Sequence, residues 1–154
     1  MVFVKFPEIR GMALNNIPFT IPNDLRSKLN ILILPCEKSN KLNLERWISF
    51  MKTLISDIHF LDYYQINIYN KRLKVLRRYM SRRARRSILN RNIDKIINFY
   101  YDLNIFKNSL NLESYKNVYI FLINQEGDIL WRTEGIYDLD KAQLLKQKII
   151  EHMI

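Results

Sequence analysis

The sequence predicts an α/β fold, a three-layer sandwich in which a central mixed sheet is covered by helices on both faces. Three observations predict it. Leu29 to Leu34, LNILIL, is an apolar β-run stopped by Pro35, and Leu42, Leu44, Trp47, Ile48 and Met51 follow it at helical spacing, which makes a β-turn-α unit. Val118 to Arg132 reads as a hairpin followed by a last helix. The chain is 48% apolar and has only three glycines and four prolines, which disfavours both disorder and an all-β fold with many tight turns.

Taken in order, Pro7 to Pro22 reads as a short entry segment. Gly11, Asn15 and Asn16 are turn residues there, and Ile17 to Ile21 makes a small edge strand between prolines. The Leu29 to Leu34 strand leads into a helix of roughly Leu42 to Ser56. Phe60 to Tyr69 is aromatic and β-branched, with Tyr64, Ile66 and Ile68 alternating against Gln65 and Asn67, as a second core strand requires. Next, Leu73, Leu76, Met80 and Ala84 recur at spacings of three and four, giving an amphipathic helix with one apolar stripe and basic flanks. Ile96 to Tyr101 is a short strand and Leu103 to Leu110 a short helix or turn. Val118 to Ile123 and Asp128 to Arg132 form the hairpin, because Gly127 can take the positive φ that its turn needs. Asp138 caps a final helix, Leu139 to Met153, with Leu144, Leu145, Lys148 and Ile149 on its sheet-facing side. The order is β-α-β-α, a linker, then β-β-α, and at 154 residues one domain spanning 1–154 is expected.

The net charge of +10 has one source. Lys71, Arg72, Lys74, Arg77, Arg78, Arg82, Arg83, Arg85, Arg86 and Arg91 lie in one stretch that has no acidic residue, and the rest of the chain balances 15 cations with 15 anions. Basic residues without acidic partners at i,i+4 repel one another along a helix, so an anionic partner is expected. The excess of Arg over Lys favours bidentate contact with carboxylate or phosphate. An acidic protein fits this best; nucleic acid and an anionic membrane surface are the alternatives. Tyr79, Tyr100 and Tyr101 are available to stack on bases, although tyrosines at such spacing commonly belong to a core.

The succession FPEIRGMALNNIPFTIP, LNILIL, the Trp47 helix and VYIFLINQEGDILWRTEG resembles the thioredoxin-like superfamily, in the branch of peroxiredoxins and cytochrome-maturation thiol reductases. Its final hairpin, with Gly127 in the turn and I-L-W-R leading to Gly135, is the most specific part. Within that branch, the missing cysteines and the basic stretch resemble the mitochondrial ATP-synthase assembly factor family and its cysteine-less prokaryotic relatives. The resemblance implies a thioredoxin-like sandwich and, by analogy, a protein client such as a membrane-complex subunit.

The redox chemistry of the superfamily does not carry over. Peroxiredoxins use Pro-x-x-x-Thr/Ser-x-x-Cys, in which the hydroxyl orients the peroxide that the thiolate attacks. Pro35 and Ser39 fit that spacing, but Leu42 stands in the cysteine position. Thioredoxins place Cys-x-x-Cys at a helix N-terminus, where this chain offers Ser39, Asn40 and Lys41. Val118 occupies the place of the cis-proline that faces such a site. The vacated site therefore comprises Ser39, Asn40, Leu42 and Val118.

Cys36 is the lone thiol, so an intrachain disulfide is excluded and a zinc site built on several thiolates is not expected. Lys38 and Lys41 beside it would favour a thiolate, which makes Cys36 a weak candidate for a single-cysteine redoxin. A small buried residue at a strand end is the commoner fate of a free cysteine. Ser39 and Asn40 read as helix caps, His59 as a boundary residue, and Glu126 and Asp128 as ordinary turn carboxylates. No catalytic group, cofactor or metal is expected. No apolar run reaches the roughly 20 residues that span a bilayer, and the N-terminus lacks a secretory h-region. An intracellular soluble protein is expected, cytoplasmic in a prokaryote or in the mitochondrial matrix if the assembly-factor resemblance holds.

Overall fold

A computed structural model describes residues 4–35, 41–87 (side chains through 85), 93–114 and 117–153. Seven strands form one mixed sheet in the order β2-β1-β5-β4-β3-β6-β7. They are β1 Ile9–Ala13, β2 Pro18–Ile21, β3 Leu29–Leu34, β4 Leu61–Asn70, β5 Ile96–Tyr101, β6 Tyr119–Asn124 and β7 Ile129–Glu134. The helices are α1 Lys41–Asp57, α2 Arg77–Ser87, α3 Leu103–Ser109 and α4 Leu139–Glu151. A 3-10 segment, Lys71–Leu76, leads into α2.

Position in the sheet explains composition. β3 lies between β4, to which it is parallel, and β6, to which it is antiparallel, and all six of its residues are buried. A strand covered on both faces needs a continuous apolar run, which LNILIL supplies apart from Asn30. On one face Trp47, Met51 and Leu54 of α1 and Leu145 and Ile149 of α4 pack on Leu29, Ile31, Ile33, Ile120 and Leu122. On the other, Phe106 of α3 joins Phe6, Leu32, Leu34, Tyr64, Ile66, Phe99 and Phe121. Phe6 meets Phe106 and Phe121 edge to face at centroid distances of 5.9 and 5.5 Å.

Several expectations need correction. Gly11 is not a turn residue; it sits inside β1, opposite Phe99 of β5. A Cβ there would stand 2.6 Å from Phe99 Cδ1 and collide with the Asn98 carbonyl. Glycine is thus required by close approach between strands. The short strand read at Ile96 to Tyr101 is an inner strand of the sheet, parallel to β4 and antiparallel to β1. In α4, Leu144 is 46% exposed and Ala142 takes the sheet-facing place beside Leu145 and Ile149. The predicted apolar stripe of the basic helix is not buried: residues 71–79 are all exposed, and the first six of them form a 3-10 segment rather than α-helix.

The hairpin and its helix follow expectation. Gly127 takes φ +87° in the β6–β7 turn, where Asn124 Oδ1 accepts from the amides of Glu126 and Asp128. Asp138 caps α4 by accepting from Lys141 N at 2.8 Å.

Candidate functional site

Two places invite a function: the N-terminus of α1, where the resemblance places the vacated redox site, and the basic segment. Cys36, Ser39 and Asn40 lie outside the described residues. Leu42, in the first turn of α1, is 53% exposed, and Val118 is buried just before β6. The surroundings are committed to structure. Asn43 accepts from Tyr137 N at 2.6 Å and donates to Gly135 O at 3.3 Å, and Trp47 Nε1 donates to the same carbonyl at 3.4 Å. Gly135 N donates to Val118 O at 2.9 Å. Trp47 also meets Tyr137 edge on at 5.1 Å. At this end of the sheet a half-buried junction joins α1 to the segment that follows β7.

The basic segment is built differently. It forms the crossover between the parallel strands β4 and β5, with Asn70 Oδ1 capping its start through Arg72 N. Asn98 and Tyr100 alternate along β5 with Ile97 and Phe99, which face the α3 core, so α2 lies on the α1/α4 face of the sheet. Under α2 the sheet does not present an apolar floor. A cleft of about 530 Å³ opens there, walled by Lys74, Arg77, Arg78, Ser81, Arg82 and Arg85 and floored by Gly11, Met12, Asn98 and Tyr100, with Arg10 across from the helix.

Among the described residues, no carboxylate lines this cleft. Among the described residues, the basic run has one ion pair, the loose Lys71–Asp102 contact at 4.0 Å. Arg85 Nη1 donates to Leu14 O at 3.1 Å, which ties α2 to the end of β1. Tyr100 stacks on Tyr69 at 5.5 Å, and its hydroxyl reaches the sulfur of Met80 at 3.8 Å. Burial, with Tyr69 beside it, pushes the Tyr100 phenol up to about 12, so it stays a proton donor at neutral pH.

Of the predicted partner-binding residues, the cleft collects Lys74, Arg77, Arg78, Arg82 and Arg85. Lys71, Arg72 and Arg83 are exposed outside it. Arg91 and the side chain of Arg86 lie outside the described residues. Of the three tyrosines, Tyr101 packs on the core, Tyr100 lines the cleft and Tyr79 is 61% exposed on the outer side of α2. Arg10 and Asn98 escaped the sequence reading because they come from other strands. A polar residue inside the apolar run IINFYY was the available signal.

A second cluster, Lys95 with both Asp62 oxygens at 2.6 Å and the Tyr64 ring at 4.9 Å, is a half-buried ion pair that closes on itself. Among the described residues, no group of His, Cys, Asp or Glu could hold a metal ion, and no helix is long and apolar enough to cross a membrane.

No protein-family model and no curated protein sequence matches the chain. Solved structures do. A thioredoxin-like protein from Aeropyrum pernix matches over 94% of this chain and 89% of its own, at 14% identity and a TM-score of 0.61. BsSco, a member of the Sco family of cytochrome c oxidase assembly proteins, matches over 96% and 93% at 10% identity and 0.59. Arabidopsis thaliana ScoI with copper bound matches over 97% and 99% at 11% identity and 0.62. At such identities the likeness is one of architecture, and the architecture of this chain is the thioredoxin-like fold.

Proposed function

We propose that this thioredoxin-like chain performs no redox catalysis and acts as a protein-interaction or complex-assembly module through its Arg-rich surface. One observation carries the reading. On the outer side of the crossover, Val75 is 88% exposed, Tyr79 61% and Leu76 48%, in the same stretch as the exposed cations Arg72 and Arg83, which make no ion pair among the described residues. Tyr and Arg with aliphatic neighbours are the composition of protein-binding surfaces, and the positive charge selects an acidic partner.

Two further points support it. Leu42 occupies the position that would carry a peroxidatic cysteine, and the polar groups of Asn43 and Trp47 are engaged by Gly135 and Tyr137. The assembly role named for the Sco family in the BsSco structure agrees with the resemblance to assembly factors. An acidic protein or a membrane-complex subunit is the expected client.

The test is affinity capture from native extract with wild type and with the triple variant Arg72→Glu, Tyr79→Ala, Arg83→Glu, half of each sample treated with nuclease. Partners lost in the variant and surviving nuclease support the reading. Partners that vanish with nuclease make the chain a nucleic-acid binder instead. A Cys36→Ser variant that loses its biological activity would sink the non-catalytic assignment.

A further inference from the structure

We propose that the cleft between α2 and the β1/β5 part of the sheet binds a nucleoside polyphosphate. This goes beyond the interaction role, since the cleft and the Arg72–Tyr79–Arg83 ridge lie on different sides of the crossover.

Charge comes first. Arg10, Lys74, Arg77, Arg78, Arg82 and Arg85 surround one cleft that no carboxylate among the described residues lines. Arg10, Lys74, Arg77, Arg78 and Arg82 make no ion pair among the described residues, so none of those residues offsets their mutual repulsion. A phosphate monoester carries about −1.5 to −2 near neutral pH, and a chain of phosphates carries more, which matches several cations drawn to one place. Guanidinium groups meet phosphate oxygens in bidentate pairs.

The floor supplies the second line. Asn98 is 2% exposed yet lines the cleft. Gln65 Nε2 donates to Asn67 Oδ1 at 3.3 Å, and Asn67 Nδ2 donates to Asn98 Oδ1 at 3.0 Å. The relay orients the Asn98 amide and leaves its Nδ2 with no acceptor among the described residues. The Tyr100 hydroxyl has only the Met80 sulfur, a weak acceptor. Two donors facing the cleft, neither with a good acceptor among the described residues, are what an anionic or carbonyl-bearing ligand satisfies.

Size supplies the third. About 530 Å³ exceeds what a phosphate ion fills and lies within the ~300–1,000 Å³ of small-molecule sites. The basic wall runs from Lys74 in the 3-10 segment to Arg85 in α2, long enough for a phosphate chain, and Asn98 on the floor offers an amide contact to a base. A membrane surface would need these cations on a convex plane, whereas they converge on a concavity.

The experiment is calorimetric titration of the full chain with ATP and, separately, with pyrophosphate and a short single-stranded oligonucleotide. Saturable ATP binding is expected, weaker for pyrophosphate, falling as salt rises. Arg10→Gln with Arg82→Gln should weaken it at least tenfold, while Arg46→Gln on the exposed side of α1 leaves it unchanged. Both cleft positions are solvent-facing, and an unaltered near-ultraviolet dichroism spectrum confirms that the fold persists. Absence of saturable ATP binding overturns the proposal. So does ATP binding that ignores Arg10 and Arg82, or oligonucleotide binding that excess ATP fails to displace.

Discussion

Helices α1 and α2 lie on the same face of one sheet and are held there by opposite means. α1 sinks Trp47, Met51 and Leu54 into β3 and β6. α2 touches the sheet through Met80 and the Arg85–Leu14 contact, and the strands below present Asn98 and Tyr100. A helix with an apolar face is bound by burial, at roughly 25 cal/mol per Å² removed from water. One with a cationic face over a polar floor gains little of that energy and carries its own repulsion. The difference separates a structural layer from a ligand-facing wall.

The largest expected effect breaks the α1 side. Trp47→Ala empties the junction against Tyr137 and Gly135, and a loss of about 3–5 kcal/mol is expected from denaturant unfolding. A loss below ~1 kcal/mol would mean that α1 is not anchored there. Gly11→Ala comes next. Its Cβ meets the Asn98 carbonyl and the Phe99 ring, so overpacking should cost about 1–3 kcal/mol and shift the cleft floor with it.

How much of this was legible in the sequence depends on where burial was complete. β3, α1 and the β6–β7 hairpin could be read because both faces, or one regular stripe, are apolar, and a period of two or 3.6 then shows plainly. β1 was missed because Gly11 reads as a turn signal, while the reason for it is the Phe99 ring on another strand, 88 residues away. Leu144 was misplaced because Leu outranks Ala in hydropathy, yet the stripe Ala142, Leu145, Ile149 decides which side of α4 faces the sheet. Half the cleft was legible as a run of cations. The other half, Arg10 and Asn98, joins it only once β1 and β5 pair.

Alkaline pH gives a smaller, graded test of the floor. Burial, with Asp62 and Asp94 nearby, pushes the Tyr63 phenol up to about 12, and Tyr100 stands at about 12 beside Tyr69. A phenol whose folded pKa is raised contributes stability that is complete below its unfolded value near 10 and lost as pH climbs toward 12. Stability should therefore fall between pH ~10 and ~12, with phenolate absorbance rising in step. Tyr100→Phe should flatten part of that slope. An unchanged slope would show that the Tyr100 hydroxyl is freely solvated and no part of an enclosed floor.

The smallest effect sharpens the comparison most. If α2 is a wall and not a support, replacing its cations should leave stability almost untouched. Arg78→Gln and Arg82→Gln each remove a charge that has no carboxylate partner and no hydrogen bond among the described residues. Each should change unfolding free energy by no more than about 0.5 kcal/mol, in the stabilising direction because like charges four residues apart repel. The stabilisation should shrink as salt is added, since screening already relieves the repulsion in wild type. Arg85→Gln is the internal contrast: it gives up the bond to Leu14 O and should destabilise by about 1 kcal/mol or more. Equal losses at positions 78, 82 and 85 would mean that the helix is held down by all of its arginines, and the distinction between the two halves of this sheet face would fall.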